Sequence, residues 1–220
     1  MITLKRFRRI EAILRGQGYA DVIDWSESVQ APQSAEEFAQ EAIYVICNSG
    51  MTVTIGAPIA ARCIIRLQEG GSAAEVFGHP GKRVAINSIW RDRAEHFAEF
   101  QATSVKLEFL ETLPWIGPVT RYHLAKNLGA DEAKPDVHME RLARRDKTST
   151  RTLCRRLARQ SGYRVATIDS ILWRSCADGL LNSRIYEAEG WTAAFRPHAY
   201  EVELTAMPLP ESRSEADRLS

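Results

Sequence analysis

The run Leu113-Pro114-Trp115-Ile116-Gly117-Pro118-Val119-Thr120 holds the residue types an anion site needs. An apolar helical pattern reaches Leu113 and Pro114 stops it. Ile116-Gly117 then turns the chain, and Pro118 suits the first turn of a second helix. The backbone N–H groups of Ile116 to Thr120 are expected to be unpaired at a positive helix end, where they hold a phosphate without reading sequence. The second helix closes at Gly129, and Lys134-Pro135-Asp136-Val137-His138-Met139-Glu140-Arg141-Leu142 follows after a short loop. Asp136 stands where an N-cap would, its carboxylate near the hairpin helix. Metal chemistry has no support. Cys47, Cys63, Cys154 and Cys176 are spaced 16, 91 and 22 apart with no Cys/His ligand pattern. Each lies in an apolar-periodic stretch and reads as a small buried hydrophobe in a reducing cytosol.

Charge is unevenly placed. The 220 residues carry 29 Lys+Arg against 28 Asp+Glu, a net charge of +1. Yet residues 141–164 hold nine Lys or Arg against Asp146 alone, and the first sixteen residues hold five against Glu11. Residues 16–61 contain six acidic groups before Arg62 and no basic one, and the tail after Tyr200 is acidic. The dense basic segment follows directly on Asp136 and is a candidate phosphate-facing surface, with a solvated helix face as the plain alternative.

The elements that must position these groups read as helices. Phe38, Ala42, Val45 and Ile46 share one face of a helix ending near Asn48-Ser49-Gly50. Ile59, Cys63, Ile64 and Leu67 share the next. Helical spacing recurs at Ile86, Ile89, Trp90 and Phe97, at Val105 to Leu113, and over 150–160 and 167–177, with Gly/Pro breaks between. Strand-like alternation is confined to 199–204, and the polar tail from Pro208 is expected to be disordered. No apolar run approaches a membrane span, and the basic start leads into no apolar signal core, so a cytoplasmic protein is expected.

Together, Leu113-Pro114-Trp115-Ile116-Gly117 and Pro135-Asp136-Val137-His138 resemble the helix-hairpin-helix/Gly-Pro-Asp (HhH-GPD) superfamily of DNA base-excision glycosylases. The likeness is tight over residues 109–145 and architectural elsewhere. The missing cysteine cluster excludes the superfamily's iron–sulfur branch. The resemblance implies no cofactor beyond a monovalent cation at the hairpin. It implies a monomer acting on double-stranded DNA that carries a damaged or modified base, nucleoid-associated in a bacterium.

By the same resemblance, Asp136 promotes base loss. Breaking the N-glycosidic bond develops oxocarbenium charge on the deoxyribose, which a fixed carboxylate stabilises while it orients or deprotonates water. Bifunctional members carry a nucleophilic lysine two residues after the second hairpin glycine, and here that position is Val119, so water is the expected nucleophile. Lys126 lies two turns further on and is a poor substitute. Lys134 is the lysine of interest for any lyase activity, with a phosphate contact or a solvated loop residue as its plain reading. Trp115 stands where the family usually has glycine; it is expected to pack on a sugar or on the next helix. Trp115, Ile116, Gly117, Val119 and Thr120 are the expected phosphate-side contacts, with Gly117 the main one. Asn48 and Met51 are candidates to fill the gap left by a flipped base, and a helix C-cap at Gly50 is the equal alternative. Trp25, Tyr44 and Trp173 are candidate pocket walls or core residues. His138 is expected to orient Asp136 or pack beneath it. Arg155 and Arg156, with Arg159, are candidate DNA contacts.

The implied fold is all-α, two helical lobes with a cleft between them. One lobe is 33–136, the second is 1–32 with 137–182, and 183–220 is a small irregular or β-like, partly disordered extension. Hydrolytic excision of an oxidised, alkylated, deaminated or deliberately modified base is the leading expectation. A glycosylase/lyase with a relocated lysine, a non-catalytic DNA-binding module, and a helical protein with neither role stay open beside it.

Overall fold

The computed structural model describes residues 1–197. Its helices are α1 (Leu4–Leu14), α2 (Ala20–Ser28), α3 (Ala35–Asn48), α4 (Val53–Gln68), α5 (Pro80–Arg91), α6 (Arg93–Ala102), α7 (Lys106–Thr112), α8 (Thr120–Asn127), α9 (Val137–Arg145), α10 (Thr150–Ser161), α11 (Val165–Ala177), α12 (Ser183–Glu189) and α13 (Trp191–Ala194). A π-helical turn over Arg15–Tyr19 joins α1 to α2, and a 3-10 turn over Ala73–Glu75 precedes α5. The chain is mainly helical, as its periodicity requires. The candidate strand at 199–204 lies outside the described residues, within which the only β pairing is an isolated bridge between Leu181 and Phe195. Among the described residues no helix is long and apolar enough to cross a membrane.

Local chemistry explains the boundaries. Thr3, Ser34, Ser149 and Asn182 cap α1, α3, α10 and α12, each side chain accepting an amide of the first turn. Gly162 ends α10 in the left-handed conformation, at φ 84°. The helical run through Ile86 and Phe97 is divided at Asp92, which ends α5 and opens α6.

Apolar side chains collect into two clusters. The first is built by α3 to α8 around Phe38, Ile43, Ile46, Ile86, Ile89, Leu110 and Leu124. The second is built by α1, α2 and α9 to α13 around Phe7, Ile10, Leu14, Leu142, Leu157, Ile168 and Leu172. The first and last described helices therefore lie in one body, and the chain crosses to the other between. The return crossing falls before Ala133, which already packs in the second cluster. All four cysteines are free and buried. Residues 183–195 are not an irregular extension: Tyr186 is fully buried, Trp191 stacks on Phe195 at 4.3 Å, and both segments close over the second cluster. The short helices α12 and α13 lack the length for a readable period, which is why the sequence pattern does not reveal them.

Gly129 fixes how the bodies meet. At φ 85° it takes the left-handed conformation that glycine accepts without cost. A Cβ there would lie 2.7 Å from the Ala31 nitrogen, so glycine also lets the linker between α2 and α3 lie against the end of α8. Arg164 of the second body ties this junction, donating to the Gly129 carbonyl at 2.6 Å and to that of Val29 at 3.2 Å.

Candidate functional site

The segment between α7 and α8 is a hairpin, with Ile116 buried beneath it. Trp115 has φ 69°, the left-handed region that favours glycine, with a tryptophan in it. Its ring, 44% exposed, stands edge-on to His79 with centroids 5.2 Å apart. It also occupies the space a Cβ on Gly81 would take. The side chain thus packs on the start of α5.

The hairpin amides are less free than the sequence implies. Ile116 N–H donates to the Leu113 carbonyl at 3.1 Å. Gly117 N–H donates to Thr120 Oγ1 at 2.7 Å, and that hydroxyl returns a bond to the Gly117 carbonyl at 3.2 Å. Neither amide is an available phosphate contact in this conformation, because the Thr120 side chain caps the turn from within. α8 accordingly starts at Thr120 rather than Pro118, and Pro118 has no N–H to give. The amides of Trp115, Val119 and Thr120 lack a partner among the described residues, and of these Val119 and Thr120 stand at the start of α8, so anion-binding capacity there shifts to them. The Leu113 carbonyl already accepts one hydrogen bond and the Gly117 carbonyl two, from Thr120 and Arg121.

Asp136 caps α9. Its Oδ1 accepts the amides of both His138 (2.9 Å) and Met139 (3.0 Å), which pins the carboxylate, while Oδ2 has no hydrogen bond among the described residues. Its charge acts on Lys134 and Asp169, both of which line the cavity described next, and on buried Cys176. His138 does not orient it through its ring. The imidazole Nδ1 pairs with Ser183 Oγ at 2.9 Å, tying α9 to α12, and only its backbone amide meets Asp136.

A cavity of about 150 Å³ lies between α2, α8 and α11, with Lys134 on its wall. Residues from both bodies line it: Trp25, His123, Lys126, Asn127, Asp169, Trp173 and Arg174 among them. Trp25 and Trp173 are therefore pocket walls, Trp25 half exposed and Trp173 beneath the Arg174 guanidinium at 5.1 Å. Tyr44 is not on the wall; it stands behind it, edge-on to the His123 ring with centroids 6.4 Å apart. The polar floor is an ion pair of Lys126 with Asp169, and Asp169 Oδ1 also accepts the Lys134 amide at 3.2 Å. Burial raises the Asp169 carboxyl above the usual range, opposed by Lys126. Burial lowers His123 to about 3, with Lys134 and Lys126 adding repulsion, so its ring is neutral near pH 7.

The expected gap-filling residues are turned inward. Asn48 Nδ2 donates to the Tyr44 carbonyl at 2.8 Å, and its side chain lies against Gly56 at the start of α4. Met51 packs on the first cluster. Beneath them the buried Lys82 donates to the carbonyls of Cys47 and Ser49, a cation closing the end of α3.

Much of the basic segment is spent inside the molecule. Arg156 donates to the Ile2 carbonyl at 2.9 Å and pairs with buried Asp146 at 3.5 Å, so its guanidinium is engaged within the fold. Arg141 and Arg144 pair with Glu187, Arg151 with Glu132, and Arg164 with Asp131. Arg6 and Arg9 lie over Trp191 and Phe195, and Arg8 and Arg15 pair with Glu11. Arg155 and Arg159 stay exposed without an ion pair among the described residues, as do Lys5 and Lys147.

Sequence reasoning missed Asp169 and His123. The signal for Asp169 was present, a carboxylate one residue from Ile168 in an apolar face; His123 sits in a helix of weak periodicity and gave none. No protein-family model matches this chain, and no match to it is found among curated proteins or among solved structures.

Proposed function

We propose that this chain is a DNA glycosylase that hydrolyses the N-glycosidic bond of a damaged or modified base in double-stranded DNA. One observation carries the reading: a carboxylate pinned through Oδ1 by two amides, with no hydrogen bond to Oδ2 among the described residues, whose charge acts on Lys134 and Asp169 of an aromatic-walled cavity and which follows the helix that the hairpin opens. Asp136 stabilises the developing oxocarbenium charge and orients the attacking water. Trp25 and Trp173 offer stacking faces to an extruded base. The amides of Val119 and Thr120 supply the phosphate contact. Val119 places no amine at the hairpin, so base departure is assigned to water and carboxylate rather than to a hairpin lysine.

The test incubates the protein with duplexes that each carry one modified base and measures released free base by mass spectrometry. Release from at least one duplex is expected. Asp136→Asn, which keeps the cap acceptor but loses the charge, should retain DNA binding and lose release by about 100-fold or more. Full activity in that variant would remove the mechanism.

A further inference from the structure

A second groove, of about 250 Å³, lies along the linker between α2 and α3, and it shares Trp25, Val29 and Asn127 with the aromatic-walled cavity. The two compartments adjoin at these residues and differ in charge. Lys126, Lys134 and Arg174 line the cavity. Among the described residues no lysine or arginine lines the groove, and Glu37 and Glu41 on its wall make no ion pair. Its amides lean the same way. Gln30 Nε2 donates to the Ser28 carbonyl and Gln33 Nε2 to that of Ala31, both at 2.8 Å, and Asn127 Nδ2 donates to Glu41 Oε2 at 2.9 Å. The three amide oxygens accept no hydrogen bond among the described residues. Glu37 and Glu41 each use one oxygen, for the Gln33 amide at 2.7 Å and for Asn127, and leave the other open. Such a wall calls for a ligand that brings donors and positive charge. We infer that the groove binds a primary ammonium, carried on an aminoalkyl arm of the base whose ring enters the cavity. This deepens the glycosylase reading and rests on it for the ring.

Each compartment suits one part of such a base. The cavity offers Trp25 and Trp173 to the ring faces, and its lysines to ring carbonyl oxygens. An ammonium at the end of an arm is repelled by Lys126, Lys134 and Arg174 and drawn past Trp25 to Glu37 and Glu41, so charge fixes which end goes where. Asp169, the carboxylate of the cavity, is already held by Lys126. Burial raises the Glu41 carboxyl above the usual range, against the hydrogen bond from Asn127, and an arriving cation stabilises its ionised form. A base with an arm still pairs in a duplex when the arm leaves from an edge that makes no pairing contact. In a pyrimidine that edge is C5, which faces the major groove. The substrate class is therefore a 5-aminoalkyl pyrimidine. Oxidation, deamination and simple alkylation add no such arm, which makes the base a deliberate modification.

The experiment gives the full chain duplexes that differ in one pyrimidine: 5-(aminopropyl)uracil, its N-acetyl derivative, or the hydroxypropyl analogue. Free base is measured by mass spectrometry. Release of the amine-bearing base should exceed that of either neutral twin by about 10-fold in kcat/KM. The ratio should fall to near one in the double variant Glu37→Gln/Glu41→Gln, which keeps acceptors for Gln33 and Asn127 and removes the charge. A ratio is unaffected by any loss of folded protein. A second measurement needs no catalysis: calorimetric titration of the chain with free 5-(aminopropyl)uracil and with its acetylated form, where the amine should bind about 10-fold more tightly. Equal release of the three bases, faster release of the hydroxypropyl base, or a ratio unchanged in the double variant would overturn the proposal and leave the excision reading standing. No release from any duplex, whichever base it carries, would refute the excision reading instead. The titration then decides the groove, which tighter binding of the amine would support and equal binding would remove.

Discussion

Trp115 shows what one residue costs and supplies at this hairpin. A non-glycine residue in the left-handed region costs roughly 1–2 kcal/mol, and here packing of the indole on His79 and Gly81 offsets it. Two truncations separate the effects. Trp115→Ala and Trp115→Gly remove the same ring, but only glycine removes the backbone strain at φ 69°. The glycine variant should therefore be the more stable by about 1 kcal/mol, the reverse of the helix-interior order, read by urea denaturation. Equal stabilities would mean the strain is not there. His123 supports a second test at this scale. Its pKa falls to about 3 on folding, from an ordinary value near 6.5, because burial excludes the charged form. The unfolded chain then binds the extra proton, so the native state loses stability as pH falls through 6.5, and the loss levels off only below about pH 3. Between pH 7 and 5 this one group should cost about 2 kcal/mol, which His123→Phe should abolish. An unchanged pH slope of unfolding in that variant would contradict a buried neutral ring.

At the scale of elements, the end of α3 depends on a partner distant in sequence. Lys82 from α5 is 4% exposed and reaches the carbonyls of Cys47 and Ser49, satisfying acceptors that a helix end leaves open. Replacing it by methionine keeps the stem and removes the cation. Lys82→Met should cost about 2 kcal/mol of stability, with faster hydrogen exchange concentrated at the end of α3; uniform exchange across the helix would place the loss elsewhere. This contact also marks how far the sequence could be read. Apolar spacing at Phe38, Ala42, Val45 and Ile46 located α3, and Asp136 before Val137 located the cap of α9, because both signals are local. The inward turn of Asn48 depends on Gly56, and the pairing of His138 on Ser183, and neither partner is signalled by nearby spacing. The hairpin was legible as a turn, but not the Thr120 hydroxyl that takes up its Gly117 amide, since serving a phosphate and serving itself call for the same residues.

Across the whole molecule, the net charge of +1 conceals a division between arginines that hold the fold and arginines that stay exposed without an ion pair among the described residues. Asp146 gathers the Ile2 amide at 2.8 Å, the Tyr186 hydroxyl at 2.7 Å and Arg156 at 3.5 Å, so the start of α1, the end of α9, α10 and α12 meet at one buried carboxylate. Such a cluster fixes geometry, and opening it leaves a charge unpaired at a cost of several kcal/mol. Arg155 and Arg159 make no such contact, and both lie on α10 with their side chains exposed. The two sets should respond differently to removal. Changing Arg155 and Arg159 together to alanine should weaken duplex binding and reduce the slope of log K against log salt by about 2, one unit for each lost phosphate contact. Changing Arg156 to alanine should instead lower the unfolding midpoint and leave the salt slope where it was. Fluorescence anisotropy over a salt series, with denaturation curves on the same preparations, reads both. A slope insensitive to the Arg155/Arg159 pair would mean the duplex lies on another face.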